Sequence, residues 1–185
     1  MPAEPAVKRA VAFVDGQNLF HAARQVFGAT YPDYDPLALA DAVCRSRSWS
    51  LTGTRFYTGI QAREVDPYWH GFWTNKLAMM GRRGVDVCSR ELRYNDEKVQ
   101  LADGTLGRAR VWREKGIDVR IALDIARLAL LDVFDIAVIF SQDQDLAEAA
   151  ADVRDISASS RRWIRVACAF PWSPGAQKRR GINNT

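Results

Sequence analysis

Oxygen-bearing side chains recur at the ends of the chain's apolar runs. Asp15 follows directly on "RAVAFV", and Ser141, Asp143 and Asp145 follow on "IAVIF". A helix cap needs only one such side chain, so the second group carries more oxygen than capping requires. Asp124 stands inside "IALDIARLAL", surrounded by Ile121, Ala122, Leu123, Ile125 and Ala126. An ionised carboxylate in so apolar a helix is costly unless a cation accompanies it. That cation is either an arginine, Arg127 or Arg120, or a metal. Asp118 opens the same helix, where the macrodipole favours an acid without any further role. It lies six residues from Asp124, about 240° around an α-helix, so Asp124 reads as a direct ligand and Asp118 as a direct or outer one. Clustered aspartates without a matching set of histidines or cysteines select a hard cation, Mg²⁺ or Mn²⁺. His21 and His70 are the only histidines and lack ligand spacing.

The elements that must position these acids follow from periodicity. "RAVAFV" reads as a strand, Asp15-Gly16 as a tight turn, and "NLFHAARQVFG" as a helix closed by Gly28. Pro36 opens a second helix, "TGTRFYTGI" reads as a strand, and Asp66-Pro67 starts a helix running to about Gly84. "VDVCS" is a short strand. From Arg90 to Arg113 the pattern alternates around Asp103-Gly104, the signature of an antiparallel hairpin insertion. A long apolar helix, the buried strand "IAVIF", another helix and the strand "RVACAF" complete the order. Strands alternating with helices argue an α/β three-layer sandwich with a mostly parallel central sheet. Ligands bind such sheets at the carboxyl ends of the strands, where the strand order reverses. Asp15 and Asp143 meet there if the first strand and "IAVIF" are neighbours. The expected limits are one domain over 7–170, with the insertion at 90–113, and a basic irregular tail over 171–185.

With 185 residues and 48% hydrophobic content, the chain supports one domain with a substantial core. Three widely spaced cysteines indicate neither a disulfide framework nor a zinc knuckle, so a reducing, cytoplasmic setting is expected. The most apolar segment is interrupted by Asp124, Arg127, Asp132 and Asp135, which argues against a membrane span. The net charge of +4 is mild, but basic residues gather at Arg82-Arg83, Arg161-Arg162 with Arg165, and Lys178 to Arg180. On a shared face they would suit a polyanion.

Three segments, "AFVDGQNLF", "EKGIDVRIALDIARLA" and "AVIFSQDQDL", resemble in sequence and order the signature blocks of the NYN domain, in the LabA-like branch of the PIN-like nuclease superfamily. The resemblance implies a PIN-like α/β sandwich and a metal-dependent endoribonuclease. Its acidic pattern falls on Asp15, Asp118, Asp124, Asp143 and Asp145, with Asn18 as the polar partner of the first block. Gln142 and Gln144 stand where the family usually carries small residues.

The expected chemistry is hydrolysis of an RNA phosphodiester by one or two Mg²⁺ or Mn²⁺ ions on these aspartates. Asn18 would orient water or a phosphate oxygen, and Ser141 would hydrogen-bond a phosphate. Lys115 would neutralise phosphate charge, and Arg161 and Arg162 would bind RNA at single-stranded or loop regions. Trp163 and Trp172, beside those arginines, are the better candidates for stacking platforms, whereas Trp69, Phe72 and Trp73 read as core or interface. A non-catalytic RNA- or protein-binding adaptor is the main alternative. A phosphatase of the haloacid dehalogenase type is disfavoured, because Asp15-Gly16-Gln17-Asn18 lacks that chemistry's second aspartate. Self-association into a homo-oligomer stays open.

Overall fold

A computed structural model describes residues 2–100, 106–113, 116–175, 181–183 and 185. The first element is β1 (Lys8–Asp15), whose last six residues are buried, as befits a strand covered on both faces. Beside it lie β2 (Trp49–Ile60) on one side and β6 (Ile136–Phe140) on the other, with β3 (Asp86–Glu91) and β7 (Arg165–Cys168) outermost. All pairings within this sheet are parallel, in the order β3-β2-β1-β6-β7. Between β3 and β6 the chain leaves the sheet as β4 (Arg93–Gln100) and β5 (Leu106–Arg113). These pair antiparallel from Arg93 opposite Arg113 to Gln100 opposite Leu106. The Asp103-Gly104 turn lies outside the described residues.

Helices cover both faces. The alternation of side chains along β1 sends Ala10, Ala12 and Val14 into one core with Leu19, Ala40, Cys44, Leu77 and Met80. Those residues come from α1 (Gly16–Phe27), α2 (Pro36–Ser46) and α3 (Pro67–Arg82). Val11 and Phe13 face the other way, onto Ile117, Ile121 and Ile125 of α4 (Ile117–Leu130) and Ala149 and Val153 of α5 (Ala147–Ser160). The α/β three-layer fold read from periodicity is thus the one observed. Its starts are chemically specified: Asp35 accepts from the N–H groups of Leu37 and Ala38, and Asp66 from that of Trp69, each ahead of a proline in the first turn. Among the described residues, no helix is long and apolar enough to cross a membrane.

The amino-terminal edge of the sheet is closed by ion pairs. Arg9 bridges Asp132 (2.6 Å) and Asp135 (2.9 Å), and Arg162 joins Asp132 (2.6 Å) while donating to the carbonyl of Ala129 (2.8 Å). The guanidinium of Arg9 holds the Asp135 carboxyl below its usual range despite burial. The opposite edge is organised differently.

Candidate active site

The strand order reverses between β1 and β6, which run side by side from Ala10 opposite Ile136 to Val14 opposite Phe140. The loops leaving their carboxyl ends diverge and open the crevice expected at such a switch point. Asp15 caps α1, its Oδ1 accepting the N–H of Asn18 at 3.0 Å, while its Oδ2 accepts the hydroxyl of Ser141 at 3.2 Å. Ser141 Oγ in turn accepts the N–H of Asp143 at 3.1 Å, and Asn18 Oδ1 accepts that of Gln142 at 2.9 Å. Asp143 Oδ1 accepts the N–H of Asp145 at 3.0 Å, capping a short 3-10 turn over Gln144–Leu146. The two loops are therefore stitched together by Asp15, Asn18 and Ser141. The Cys168 thiol, 3.1 Å from the Ser141 carbonyl, ties the second loop to β7.

Burial pushes the Asp15 carboxyl up to about 6, and the nearby charge of Asp143 adds to the rise, against hydrogen bonds from Asn18, Ser141 and Gln17. The phenol of Tyr34, kept protonated by burial and by Asp15, donates to the Gly16 carbonyl at 3.0 Å. Among the described residues, no ion pair reaches Asp15 or Asp143, whereas Asp35, Asp41, Asp86, Asp124, Asp132 and Asp135 each meet an arginine. What sets the crevice pair apart is the burial of Asp15, which is 8% exposed and is met, among the described residues, by hydrogen bonds alone.

Asp124 is 4% exposed, as its apolar surroundings required, and its charge is met by arginine. Arg120 reaches Oδ1 at 2.8 Å, and Arg55 (3.2 Å) and the Tyr57 hydroxyl (2.9 Å) converge on Oδ2. Arg120 is one of the two partners legible in the sequence. Arg55 and Tyr57 are not, because only the register of β2 brings them under α4. Arg127 is exposed, and Asp118 is half-buried in the first turn of α4. The five aspartates do not converge as a single ligand set. Among the described residues, no three His, Cys, Asp or Glu side chains stand close enough to hold a metal ion. Asp15 and Asp143 alone still fit a small hard cation. Mg²⁺ is commonly held by one or two carboxylates plus water and substrate phosphate, and no ion pair among the described residues neutralises this pair. Asp124 does not fit such a role while two guanidinium groups occupy it.

Of the basic residues expected at the site, Lys115 and Lys178 to Arg180 lie outside the described residues. Arg161 ends α5 in a left-handed conformation, and with Arg162 it lies on the amino-terminal edge, away from the crevice. Trp163 is also there, between Lys8 and Arg165.

Beside the crevice lies an open groove of about 250 Å³ that sequence reading did not identify. α1 contributes Gly16, Phe20 and Arg24, one face of α3 contributes Trp69 and Trp73, and the carboxyl end of β2 contributes Gly59. Trp73 stacks on the buried Phe56, and Trp69 packs against Tyr31 and Phe72. The loop between α1 and α2 also borders the groove, pinned by the Lys76 ammonium on the carbonyls of Pro32 and Tyr34. A side chain at position 16 is excluded, since its Cβ would stand 2.5 Å from Phe56 Cζ and 3.0 Å from the Tyr57 carbonyl oxygen.

An all-parallel five-stranded sheet, helices on both faces and acids on the loops of the switch point define a PIN-like α/β domain. Within that class the chain belongs to the NYN domain family, which it matches over residues 9–159. NYN domains are in general nucleases of the PIN-like kind. Among solved structures, the chain is similar to a protein of unknown function from Vibrio parahaemolyticus, with a TM-score of 0.50 and 17% identity over 88% of this chain and 82% of that one. At that identity the likeness concerns the fold. No curated protein sequence matches the chain.

Proposed function

We propose that the protein is a LabA-like endoribonuclease that hydrolyses RNA phosphodiester bonds with Mg²⁺ or Mn²⁺ at the crevice of Asp15 and Asp143. The observation that carries this reading is a pair of carboxylates that no ion pair reaches among the described residues, where the buried Asp124 is by contrast met by two arginines. A divalent cation, when bound, supplies Lewis-acid polarisation of the phosphodiester. The chain's own residues do the rest. Asp15 and Asp143 hold the cation, and Ser141 fixes both loops by donating to Asp15 and accepting from Asp143. Asn18 spends Oδ1 on Gln142, which leaves its Nδ2 group to donate to a phosphate oxygen. Asp124 acts as a positioning residue, anchoring Arg120, Arg55 and Tyr57 between α4 and the sheet. Asp118 and Asp145 border the substrate path and Lys115 would neutralise a phosphate charge, whereas Arg161 and Arg162 serve the fold.

A second reading, an RNA- or protein-binding adaptor without catalysis, is favoured by one observation: Asp124 is closed off by arginines. Incubation of labelled RNA with Mn²⁺, Mg²⁺ or chelator separates the two. The nuclease cleaves only with metal, and Asp143→Asn, which keeps the cap on Asp145, lowers the rate by about 100-fold or more with an unchanged circular dichroism spectrum. Binding without cleavage by the wild type, or full cleavage by the variant, refutes the catalytic assignment.

A further inference from the structure

The groove beside the crevice has a chemistry that the acids do not explain. Two indoles on α3 and a phenylalanine on α1 line it, and the exposed Arg24 lies one turn beyond Phe20 on the same helix face. Gly16 borders the groove and follows directly on Asp15, so the two sites share a boundary. Its aromatic residues are braced before any ligand arrives, Trp73 by the fully buried Phe56 and Trp69 by Tyr31 and Phe72. At about 250 Å³ the groove is smaller than the ~300–1,000 Å³ sites that enclose drug-sized ligands. That size suits a single flat ring whose attached chain continues outside.

We infer that the groove binds one unpaired nucleobase of single-stranded RNA, next to the phosphodiester presented to Asp15 and Asp143. The inference rests on the nuclease reading and adds the substrate's grip to it. Trp69 offers the base a stacking face, a contact tolerant of sequence because every base has a π-face. Arg24 meets a flanking phosphate. Paired RNA is excluded, because its bases are stacked inside the duplex and cannot enter a groove of this size.

The test is binding of an unstructured single-stranded RNA 12-mer in chelator, so that no cleavage enters the readout, together with Mn²⁺-dependent cleavage by the same preparations. Trp69→Ala weakens binding about 10-fold, and Trp69→Phe restores most of the loss. Arg24→Ala lowers the slope of log affinity against log salt by ~0.7, the value for one single-strand phosphate. Leu131→Ala, an exposed side chain beside Asp132 on the opposite edge, binds like the wild type. If Trp69→Ala does not fold, the salt slope of Arg24→Ala decides. Wild-type cleavage and binding with both groove variants unchanged overturns the subsite and leaves the nuclease standing. A wild type that neither binds nor cleaves the RNA overturns the nuclease reading, and the subsite with it.

Discussion

Replacing Asp15 with asparagine tests the electrostatics of the crevice independently of any activity. In the folded protein, burial and Asp143 raise the Asp15 pKa from 3.8 to about 6. The folded state therefore binds more protons than the unfolded chain between those values, so stability falls as pH rises through that window. A shift of about two units corresponds to ~3 kcal/mol of strain in the ionised form at neutral pH, without a solvent discount because the side chain is 8% exposed. In Asp15→Asn the new amide carries no charge, and its Oδ1 still accepts from Asn18. The Ser141 hydroxyl loses its acceptor at Oδ2, a cost of about 1 kcal/mol. The net expectation is that Asp15→Asn is more stable than the wild type by ~2 kcal/mol above pH 7, a rise in Tm of roughly 4–8 °C for a chain of this size. The gain shrinks through pH 6 and turns into a small loss near pH 4. Urea unfolding of both proteins in chelator, from pH 4 to pH 8, measures it. A difference that does not vary with pH, or a variant less stable than the wild type at pH 7.5, refutes the argument that Asp15 is a buried, unbalanced charge.

Two further perturbations probe the frame around the crevice. Gly16→Ala forces a Cβ against Phe56, which is fully buried and stacked on Trp73 and so cannot swing aside; a loss of ~1–3 kcal/mol is expected, and an unchanged melting temperature would show that α1 shifts freely. Arg120→Ala leaves Asp124 Oδ1 without its guanidinium while Arg55 and Tyr57 remain on Oδ2. The expected destabilisation is ~2 kcal/mol in urea, below the full value for breaking a buried pair because Arg120 is itself 41% exposed. Asp124→Asn in the same background should recover part of it, and additive losses would argue against the pairing.

The elements are legible because local chemistry and periodicity agree. Asp35-Pro36 and Asp66-Pro67 announce their helices, and the unbroken apolar run of "IAVIF" announces a strand covered on both faces. The meeting of Asp15 with the loop after β6 follows from the switch-point rule. Side-chain partners set by register across the sheet are hidden. Nothing near Asp124 in sequence points to Arg55 or Tyr57, which belong to a strand more than sixty residues away. Trp69 and Trp73 read as core or interface because i, i+4 aromatics usually are; Trp73 does pack on the core against Phe56, and the return of the α1–α2 loop, held by Lys76, makes both border a groove as well. Arg162 resembles a phosphate ligand in sequence because a charge pair formed with Asp132 across a chain reversal leaves no local pattern. Gln144, where small residues are expected, holds the carbonyl of Gly181 at 3.1 Å and accepts from the N–H of Asn183, beside the buried Ile182. Its bulk is used to fasten the end of the chain.

The hydrogen bond from Ser141 to Asp15 spans 126 positions of sequence, and that separation sets a clock during synthesis. At ~5–20 residues per second, roughly 6 to 25 s elapse between the polymerisation of the first crevice residue and that of its partner. Throughout that interval β1 lacks its β6 neighbour, and one half of the acidic wall is missing. The crevice therefore cannot close until the loop after β6 has left the ribosome, long after Asp15 has done so.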